Sequence, residues 1–143
     1  MNILRKLKSA GYWTGYSIII RALLLGILIV DNSFTMRKII RKHLENGGYY
    51  EIEEAVDGED ALSKLQDVDL VLTDWIMPNR DGLSLVREIR KSPVFKNIPV
   101  IMVTVEGSQA QVLEAFRQGV SDYLVKPFRG PALLEKVRRY YSG

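Results

Sequence analysis

Asp74 is the residue whose position in the sequence points most directly to chemistry. It follows the apolar run at residues 70–73 and precedes Trp-Ile-Met-Pro at residues 75–78. A short apolar run bounded by polar residues and a proline predicts a strand buried on both faces, as in a parallel sheet covered by helices. Ligands bind at the carboxyl ends of the strands in such sheets. Asp74 is therefore either a functional carboxylate or a turn residue, which is the commoner role of a strand-end aspartate.

Four further polar residues follow other strand-like runs, namely Asp31, Asn32, Thr104 and Lys126. Parallel strands point the same way, so all five residues are expected at one edge of the sheet. A carboxylate there can attack phosphorus and form an aspartyl phosphate if cations neutralise the phosphoryl oxygens. Asp31 and Asp74 offer oxygens to Mg²⁺. Lys126 offers a positive charge to a phosphoryl oxygen, and Thr104 offers a hydroxyl donor. Each residue alone has an ordinary structural role, but their coincidence at four strand ends favours a functional site.

The elements that must position these residues alternate along the chain from residue 27 onward. Strands are predicted at 27–31, 50–55, 70–74, 98–104 and 122–125, and helices at 34–46, 58–66, 83–91, 108–118 and 131–141. Five strands, each followed by a helix, predict an α/β fold with a doubly wound parallel sheet. Right-handed crossovers then place helices on both faces of that sheet.

Length and composition limit the classes of protein that the chain can form. Its 143 residues, 47% hydrophobic and 26% charged, are typical of one globular domain with a sizeable core. Cysteine is absent and His43 is the single histidine, which excludes disulfides, a cysteine nucleophile and a His-based zinc site. His43 itself is expected to be an exposed helix residue. The cytoplasm is the simplest compartment for such a chain.

The net charge of +3 arises from the first 26 residues, which carry four basic residues and no acid. The remainder has 16 basic and 17 acidic residues, so the body of the chain is nearly neutral at −1. It contains no basic stripe with interleaved aromatic residues. The charge distribution therefore argues against nucleic-acid binding.

Residues 1–25 form an N-terminal extension that is distinct in composition from the predicted domain at 26–143. A basic start and an apolar stretch at 18–25 resemble a signal peptide or membrane anchor. However, Arg21 interrupts the stretch, no small-residue cleavage site follows it, and its length falls short of the ~20 residues of a spanning helix. Three interpretations remain: an extra helix packed on the domain, a weak interfacial anchor, or an extension without function. We favour an accessory or adventitious segment over membrane contact.

Four motifs over residues 26–141 resemble those of the response regulator receiver family, and in particular its CheY-like chemotaxis regulators. They are Ile-Leu-Ile-Val-Asp-Asn-Ser at 27–33, Leu-Thr-Asp-Trp-Ile-Met-Pro at 72–78 with Asp-Gly at 81–82, Pro-Val-Ile-Met-Val-Thr at 99–104, and Tyr-Leu-Val-Lys-Pro-Phe at 123–128. The resemblance implies the flavodoxin-like (βα)5 fold with strand order 2-1-3-4-5, the order of CheY itself. It also implies a signalling protein rather than an enzyme.

The resemblance further implies the roles of individual residues. Asp74 would be the phosphoacceptor and a histidine kinase the donor. The implied Mg²⁺ ligands are Asp31, Asn32, Asp74 and the backbone carbonyl of Ile76. The implied switch residues are Thr104, Tyr123, Lys126 and Pro127, with a cis peptide bond between Lys126 and Pro127. Phosphorylation would draw Thr104 toward the phosphate and let Tyr123 turn inward.

By the same likeness, that change would alter the surface of the helices at 108–118 and 131–141 and of the strand between them. The partner at this surface would be a downstream protein, either the flagellar motor switch or a phosphorelay protein. Helix 34–46 has a basic face, formed by Arg37, Lys38, Arg41, Lys42 and His43. Such a face is usually solvated, although in receivers this helix tends to dock kinases and phosphatases.

Asn32 is the main departure from the family pattern, which has two adjacent acids at this point. Loss of one negative charge should weaken Mg²⁺ binding, because a charge pair at about 4 Å is worth about 4 kcal/mol at an effective dielectric constant of about 20. An alternative function follows, in which the chain is a degenerate receiver that binds proteins without phosphorylation. A phosphatase with an aspartate nucleophile is disfavoured, because such enzymes need a second acid where Ile76 stands. An apolar residue at position 76 also predicts slow loss of the phosphoryl group.

Overall fold

The computed structural model describes residues 18–140 of the chain. The helices are α1 (Ile18–Leu24), α2 (Phe34–Asn46), α3 (Gly58–Leu62), α4 (Gly82–Lys91), α5 (Gln109–Arg117) and α6 (Gly130–Arg138). The strands are β1 (Ile27–Val30), β2 (Ile52–Ala55), β3 (Leu70–Thr73), β4 (Val100–Thr104) and β5 (Asp122–Val125). The predicted alternation of strand and helix is therefore confirmed.

Most boundaries differ from the predicted ones by only one or two residues, but α3 is four residues shorter than the predicted helix at 58–66. Its end is marked by Ser63, whose hydroxyl donates to the backbone carbonyl of Asp60 at 2.8 Å. A serine that bonds its own backbone in this way competes with continuation of the helix. Asp67 follows in the left-handed region with φ of 64°, which turns the chain toward β3.

The five strands form one parallel sheet in the order β2-β1-β3-β4-β5, as the family resemblance implies. Ile27 lies opposite Ile52 on one side and Leu70 on the other, so β1, β2 and β3 start in register. Because all strands are parallel, their carboxyl ends lie along one edge of the sheet. The loops that carry the candidate residues leave from this edge.

Alternate residues of each central strand face two separate hydrophobic clusters, one on each side of the sheet. In β1, Leu28 and Val30 face α3, α4 and α5, whereas Ile27 and Ile29 face α1, α2 and α6. Every residue of β1, β3 and β4 is buried. Burial on both faces explains why these strands are continuous apolar runs without an alternating polar pattern.

The end of the predicted N-terminal extension is part of the domain core. Ala22 and Leu25 are buried in the same cluster as Tyr49, Leu133 and Val137, so residues at and after α1 pack against the sheet face that α2 and α6 cover. The remainder of the extension, residues 1–17, lies outside the described residues. Within residues 18–140, no helix combines the length and the apolar character that crossing a membrane requires.

Candidate functional site

Asp31 is a buried acid at the end of β1, with 2% of its surface exposed. Its backbone N–H donates to Ala55 of β2 at 3.1 Å, which continues the sheet ladder by one residue. One carboxylate oxygen accepts the backbone N–H of Ser33 at 2.8 Å, and Ser33 in turn caps α2 by accepting the N–H of Met36. The carboxylate is thus held in a fixed orientation by the turn that starts the helix.

Asp74 lies at the end of β3, and its side chain is 14% exposed. Its backbone N–H donates to Val30 of β1 at 2.8 Å, and its Oδ1 accepts the backbone N–H of Trp75 at 2.7 Å. Gly82 packs directly behind it, since a Cβ at that position would lie 2.1 Å from the Asp74 carbonyl oxygen. Only glycine permits this close approach of α4 to the strand end.

Lys126 joins the two acids. Its Nζ donates to Asp31 Oδ2 at 2.7 Å and to Asp74 Oδ2 at 3.2 Å, and its backbone N–H donates to the Thr104 carbonyl at 2.8 Å. The peptide bond between Lys126 and Pro127 is cis, as the family resemblance implies. One ammonium therefore lies between two carboxylates, which leaves this trio with a net charge of −1.

Thr104 and Tyr123 both hydrogen-bond the backbone of Glu106, in the loop after β4. Thr104 is fully buried, and its hydroxyl oxygen accepts the backbone N–H of Glu106 at the long distance of 3.5 Å. The Tyr123 ring is buried, and its hydroxyl donates to the backbone carbonyl of Glu106. Burial raises the pKa of Tyr123, and the negative charges of Glu106 and Asp74 raise it further. The inward position that was expected to follow phosphorylation is thus already occupied here.

The β3–α4 loop has an anchor that no sequence motif indicates. Asn79 adopts a left-handed conformation with φ of 65° and donates its side-chain N–H to Asp57 Oδ2 at 2.6 Å. Asp57 also caps α3 through the backbone N–H of Asp60, and these bonds lower the pKa of its carboxyl. The sequence signal for this turn was the asparagine after Met-Pro, because asparagine tolerates positive φ better than most residues.

The basic face of α2 is only partly solvated, contrary to expectation. Arg37, Lys38 and Arg41 all donate to the carboxylate of Glu54 on β2, at 3.0, 2.8 and 2.7 Å. Arg37 is buried and also donates to the backbone carbonyl of Asp31 at 2.6 Å. Glu54 and the role of Arg37 were missed, because helical periodicity alone does not reveal which charges a neighbouring strand will neutralise.

His43 also differs from the expectation of an exposed helix residue. It is half-buried, and its ring packs edge-on against Phe128 with 6.1 Å between the ring centroids. Gly130 lies against the same ring, where a Cβ would come within 2.6 Å of Nδ1. The correction has a tertiary cause, because α6 and the loop before it cover this side of α2.

The oxygen-bearing groups at this edge are of the kinds that bind Mg²⁺, but only two of them are carboxylates. Asp31 and Asp74 converge on one point through Lys126, Asn32 is exposed beside Asp31, and Ile76 follows Asp74 by two residues. Carboxylate, amide and carbonyl oxygens with waters are what Mg²⁺ accepts. Among residues 18–140, no three acids or histidines are grouped closely enough to hold a metal. A Mg²⁺ ion would therefore depend on two acids and neutral oxygens.

Comparisons with known proteins agree with this geometry. Residues 27–138 match the family model described as the response regulator receiver domain. The chain is 45% identical over 114 residues to chemotaxis protein CheY1 of Helicobacter pylori, covering 78% of this chain and 92% of that protein. It superimposes on chemotaxis protein CheY4 of Vibrio cholerae with a TM-score of 0.76 and 34% identity, covering 82% of this chain and 98% of that one.

A third similar structure is a complex named as CheX, CheY, BeF3 and Mg²⁺ from Borrelia burgdorferi. The match has a TM-score of 0.75 and 29% identity, and covers 80% of this chain and 87% of that one. The strand order, the acids at the ends of β1 and β3 and the cis peptide after β5 agree with the motifs on which the resemblance was based. This chain therefore belongs to the response regulator receiver domain family and is similar to its CheY members.

Proposed function

We propose that this two-component receiver is a chemotaxis-type phospho-switch that accepts a phosphoryl group from a histidine kinase on Asp74. The observation that carries the proposal is the contact of Lys126 Nζ with both Asp31 and Asp74 at the carboxyl edge of the sheet. It brings a nucleophilic carboxylate, a second acid and a cation to one point. Two relatives that are 45% and 43% identical to this chain are chemotaxis proteins, which supports the same pathway type for it.

In the transfer, a carboxylate oxygen of Asp74 forms a bond to phosphorus while the bond between phosphorus and the donor's imidazole nitrogen breaks. The Lys126 ammonium lies close enough to Asp74 to donate to one phosphoryl oxygen, and the Thr104 hydroxyl can donate to another. A Mg²⁺ ion bound at this edge would supply positive charge to the phosphoryl oxygens. Asp31, Asn32, Asp74 and the carbonyl of Ile76 would hold it.

The proposed output surface is the face formed by α5, β5 and α6. Its exposed apolar side chains include Leu113, Phe116 and Val125. Exposed apolar residues grouped on one face are typical of a protein-binding surface. Tyr123 connects this face to the site, because it belongs to β5 and bonds the loop between β4 and α5. The partner would be a downstream target such as a motor-switch or phosphorelay protein.

The test is incubation with a small phosphodonor and Mg²⁺, followed by intact mass measurement. We expect an adduct of about 80 Da, one phosphoryl group, in the native chain. Asp74→Ala should show none. Asp57→Asn is the control, because Asp57 is a buried acid whose hydrogen bonds are with Asn79 and the backbone of Asp60 rather than with Lys126. An adduct that persists in Asp74→Ala would contradict the assignment of the phosphoacceptor.

A second candidate function is a degenerate receiver that binds its partner without phosphorylation. Two observations favour it: Asn32 replaces an acid at the metal site, and Tyr123 already occupies its inward position. If this alternative holds, Asp74→Ala should bind the downstream partner as well as the native chain does. A partner affinity that rises only after phosphorylation would exclude it.

A further inference from the structure

Arg37 is a buried cation that contacts Asp31, and it has no part in the proposed phosphoryl transfer. It is 8% exposed, and its guanidinium makes two contacts in different directions. NH1 donates to the backbone carbonyl of Asp31 at 2.6 Å, and Nε donates to Glu54 Oε1 at 3.0 Å. The planar guanidinium therefore connects β2 to the end of β1 through a side chain of α2.

The carbonyl that Arg37 contacts belongs to the peptide unit between Asp31 and Asn32. Both residues that flank this peptide are candidate Mg²⁺ ligands. The remaining polar groups of Asp31 are already held, its N–H by Ala55 and its two carboxylate oxygens by Ser33 and Lys126. The Arg37 contact fixes the carbonyl oxygen, which is the last polar group of Asp31. It thereby also fixes the plane of the peptide bond that joins Asp31 to Asn32.

Glu54 pairs with the Arg37 guanidinium and so reduces the positive charge next to Asp31. A bare guanidinium next to Asp31 would oppose a divalent cation, but the Glu54 carboxylate lies against it and is itself only 14% exposed. Lys38 and Arg41 hold the other oxygen of Glu54 at 2.8 and 2.7 Å, which fixes the carboxylate in place. Arg37 thus orients the Asp31 carbonyl while its guanidinium is paired with the Glu54 carboxylate, which Lys38 and Arg41 also contact.

We propose that Arg37, held by Glu54, is a positioning residue that orients the Asp31–Asn32 peptide for Mg²⁺ binding. This inference rests on the proposed function. Orientation matters more here than in a site with three acids, because a neutral amide oxygen contributes only when it already points at the ion. The side chain touches no reacting atom, so its effect is on Mg²⁺ affinity and on the order of the β1–α2 turn.

Arg41 provides a matched control within the same cluster. It too donates from Nε to Glu54 and from a terminal nitrogen to a backbone carbonyl, but that carbonyl is Ile52 on β2, away from the site. Arg37→Gln and Arg41→Gln therefore each remove one pair with Glu54 and one bond to a carbonyl. They differ in whether that carbonyl belongs to the metal-site peptide.

The experiment measures Mg²⁺ affinity by Trp75 fluorescence in a Trp13→Phe background, for both variants. We expect Arg37→Gln to weaken Mg²⁺ binding by about tenfold, as is typical for the loss of a residue that orients a metal ligand. Arg41→Gln should leave the affinity unchanged and should lower the melting temperature less than Arg37→Gln does, because the Arg41 side chain is 28% exposed and that of Arg37 10%. Arg37→Lys should restore only part of the affinity, because one ammonium is a poor replacement for the two-directional guanidinium. Equal affinities for Arg37→Gln and Arg41→Gln would overturn the proposal.

A second measurement needs no metal. Exchange of the Ser33 amide hydrogen reports the order of the turn, because this N–H donates to Asp31 Oδ1 at 2.8 Å. It should be faster in metal-free Arg37→Gln than in metal-free Arg41→Gln, and equal rates would also overturn the proposal. Both measurements are made in the native chain and in Asn32→Asp. The comparison distinguishes failure of the proposed function from failure of the proposed role of Arg37. Absence of Mg²⁺ binding in both backgrounds would contradict the proposed function, whereas Ser33 exchange would still decide the role of Arg37.

Discussion

Lys126 Nζ lies 2.7 Å from Asp31 Oδ2, although the two residues are 95 positions apart in the chain. The contact reaches from the end of β5 to the end of β1, with β3 and β4 between them in the sheet. One ammonium therefore compensates negative charge at an edge where position 32 carries asparagine and not an acid. The charge balance of this edge should therefore control how tightly it binds Mg²⁺.

Asn32→Asp should tighten Mg²⁺ binding by ten- to a hundredfold. The new carboxylate restores a full negative charge within a few ångströms of the ion, and solvent screening reduces the full Coulomb energy to the order of 1 to 3 kcal/mol. Trp75 fluorescence measures the affinity in a Trp13→Phe background. Asn97→Asp, which adds the same charge in an exposed loop before β4, should have no effect. Equal affinity of Asn32→Asp and the native chain would show that Asn32 does not limit metal binding.

Ile76→Asn should accelerate loss of the phosphoryl group from Asp74, by about tenfold. The Ile76 side chain is 60% exposed beside the site and cannot hydrogen-bond a water molecule, whereas an amide can orient one for attack on phosphorus. The decay of the phosphorylated protein after removal of the donor gives the rate. Val94→Asn, at an apolar position that is 77% exposed and outside the site, serves as the control. An unchanged decay rate in Ile76→Asn would contradict this role.

Arg90→Lys should lower the free energy of unfolding by about 2 kcal/mol. The guanidinium donates to the carbonyls of Gly119, Lys96 and Ile98, at distances of 2.5 to 3.0 Å, and burial lowers the pKa of Arg90. An ammonium cannot satisfy all of these carbonyls. Urea unfolding gives the change, and Arg87→Lys, which affects one exposed bond of 3.4 Å, should cost far less. Equal losses in the two variants would argue against this role of Arg90.

The stabilisation that Glu54 contributes should disappear in acid. Burial raises the pKa of Glu54, but hydrogen bonds from Lys38, Arg41 and Arg37 outweigh burial and lower it from 4.5 to about 2. Because the folded-state pKa lies below the unfolded one, the contribution is complete above pH 4.5 and is lost as the pH falls toward about 2.

The native chain should therefore exceed Glu54→Gln in free energy of unfolding by about 1 to 2 kcal/mol near pH 6, after allowance for solvent screening. The difference should narrow as the pH is lowered to about 3 and below. Urea unfolding of both proteins across this range provides the measurement. A difference that stays constant with pH would mean that the ionised carboxylate is not what stabilises the fold.

Periodicity and strand-end residues were enough to predict the order of the elements and the acids at the ends of β1 and β3. These features are local: an apolar run predicts a buried strand, and a strand direction predicts which residues share an edge. The length of α3 was not predictable in this way. The Ser63 hydroxyl bond to the Asp60 carbonyl is one of several local conformations open to that segment, and the fold selects it.

The amino-acid sequence by itself determined the parallel α/β architecture and, through the family motifs, the expected roles of Asp74, Thr104 and Lys126. Only the tertiary structure decided that Lys126 contacts both acids, that Tyr123 is already turned inward, and that Arg37 holds the Asp31 carbonyl. The Lys126 contacts join residues 95 and 52 positions apart, and even the contact of Arg37 with Asp31, six positions away, depends on how α2 packs against the sheet. Residue types and spacing determine which strand ends are neighbours, whereas packing determines which polar atoms form hydrogen bonds and ion pairs.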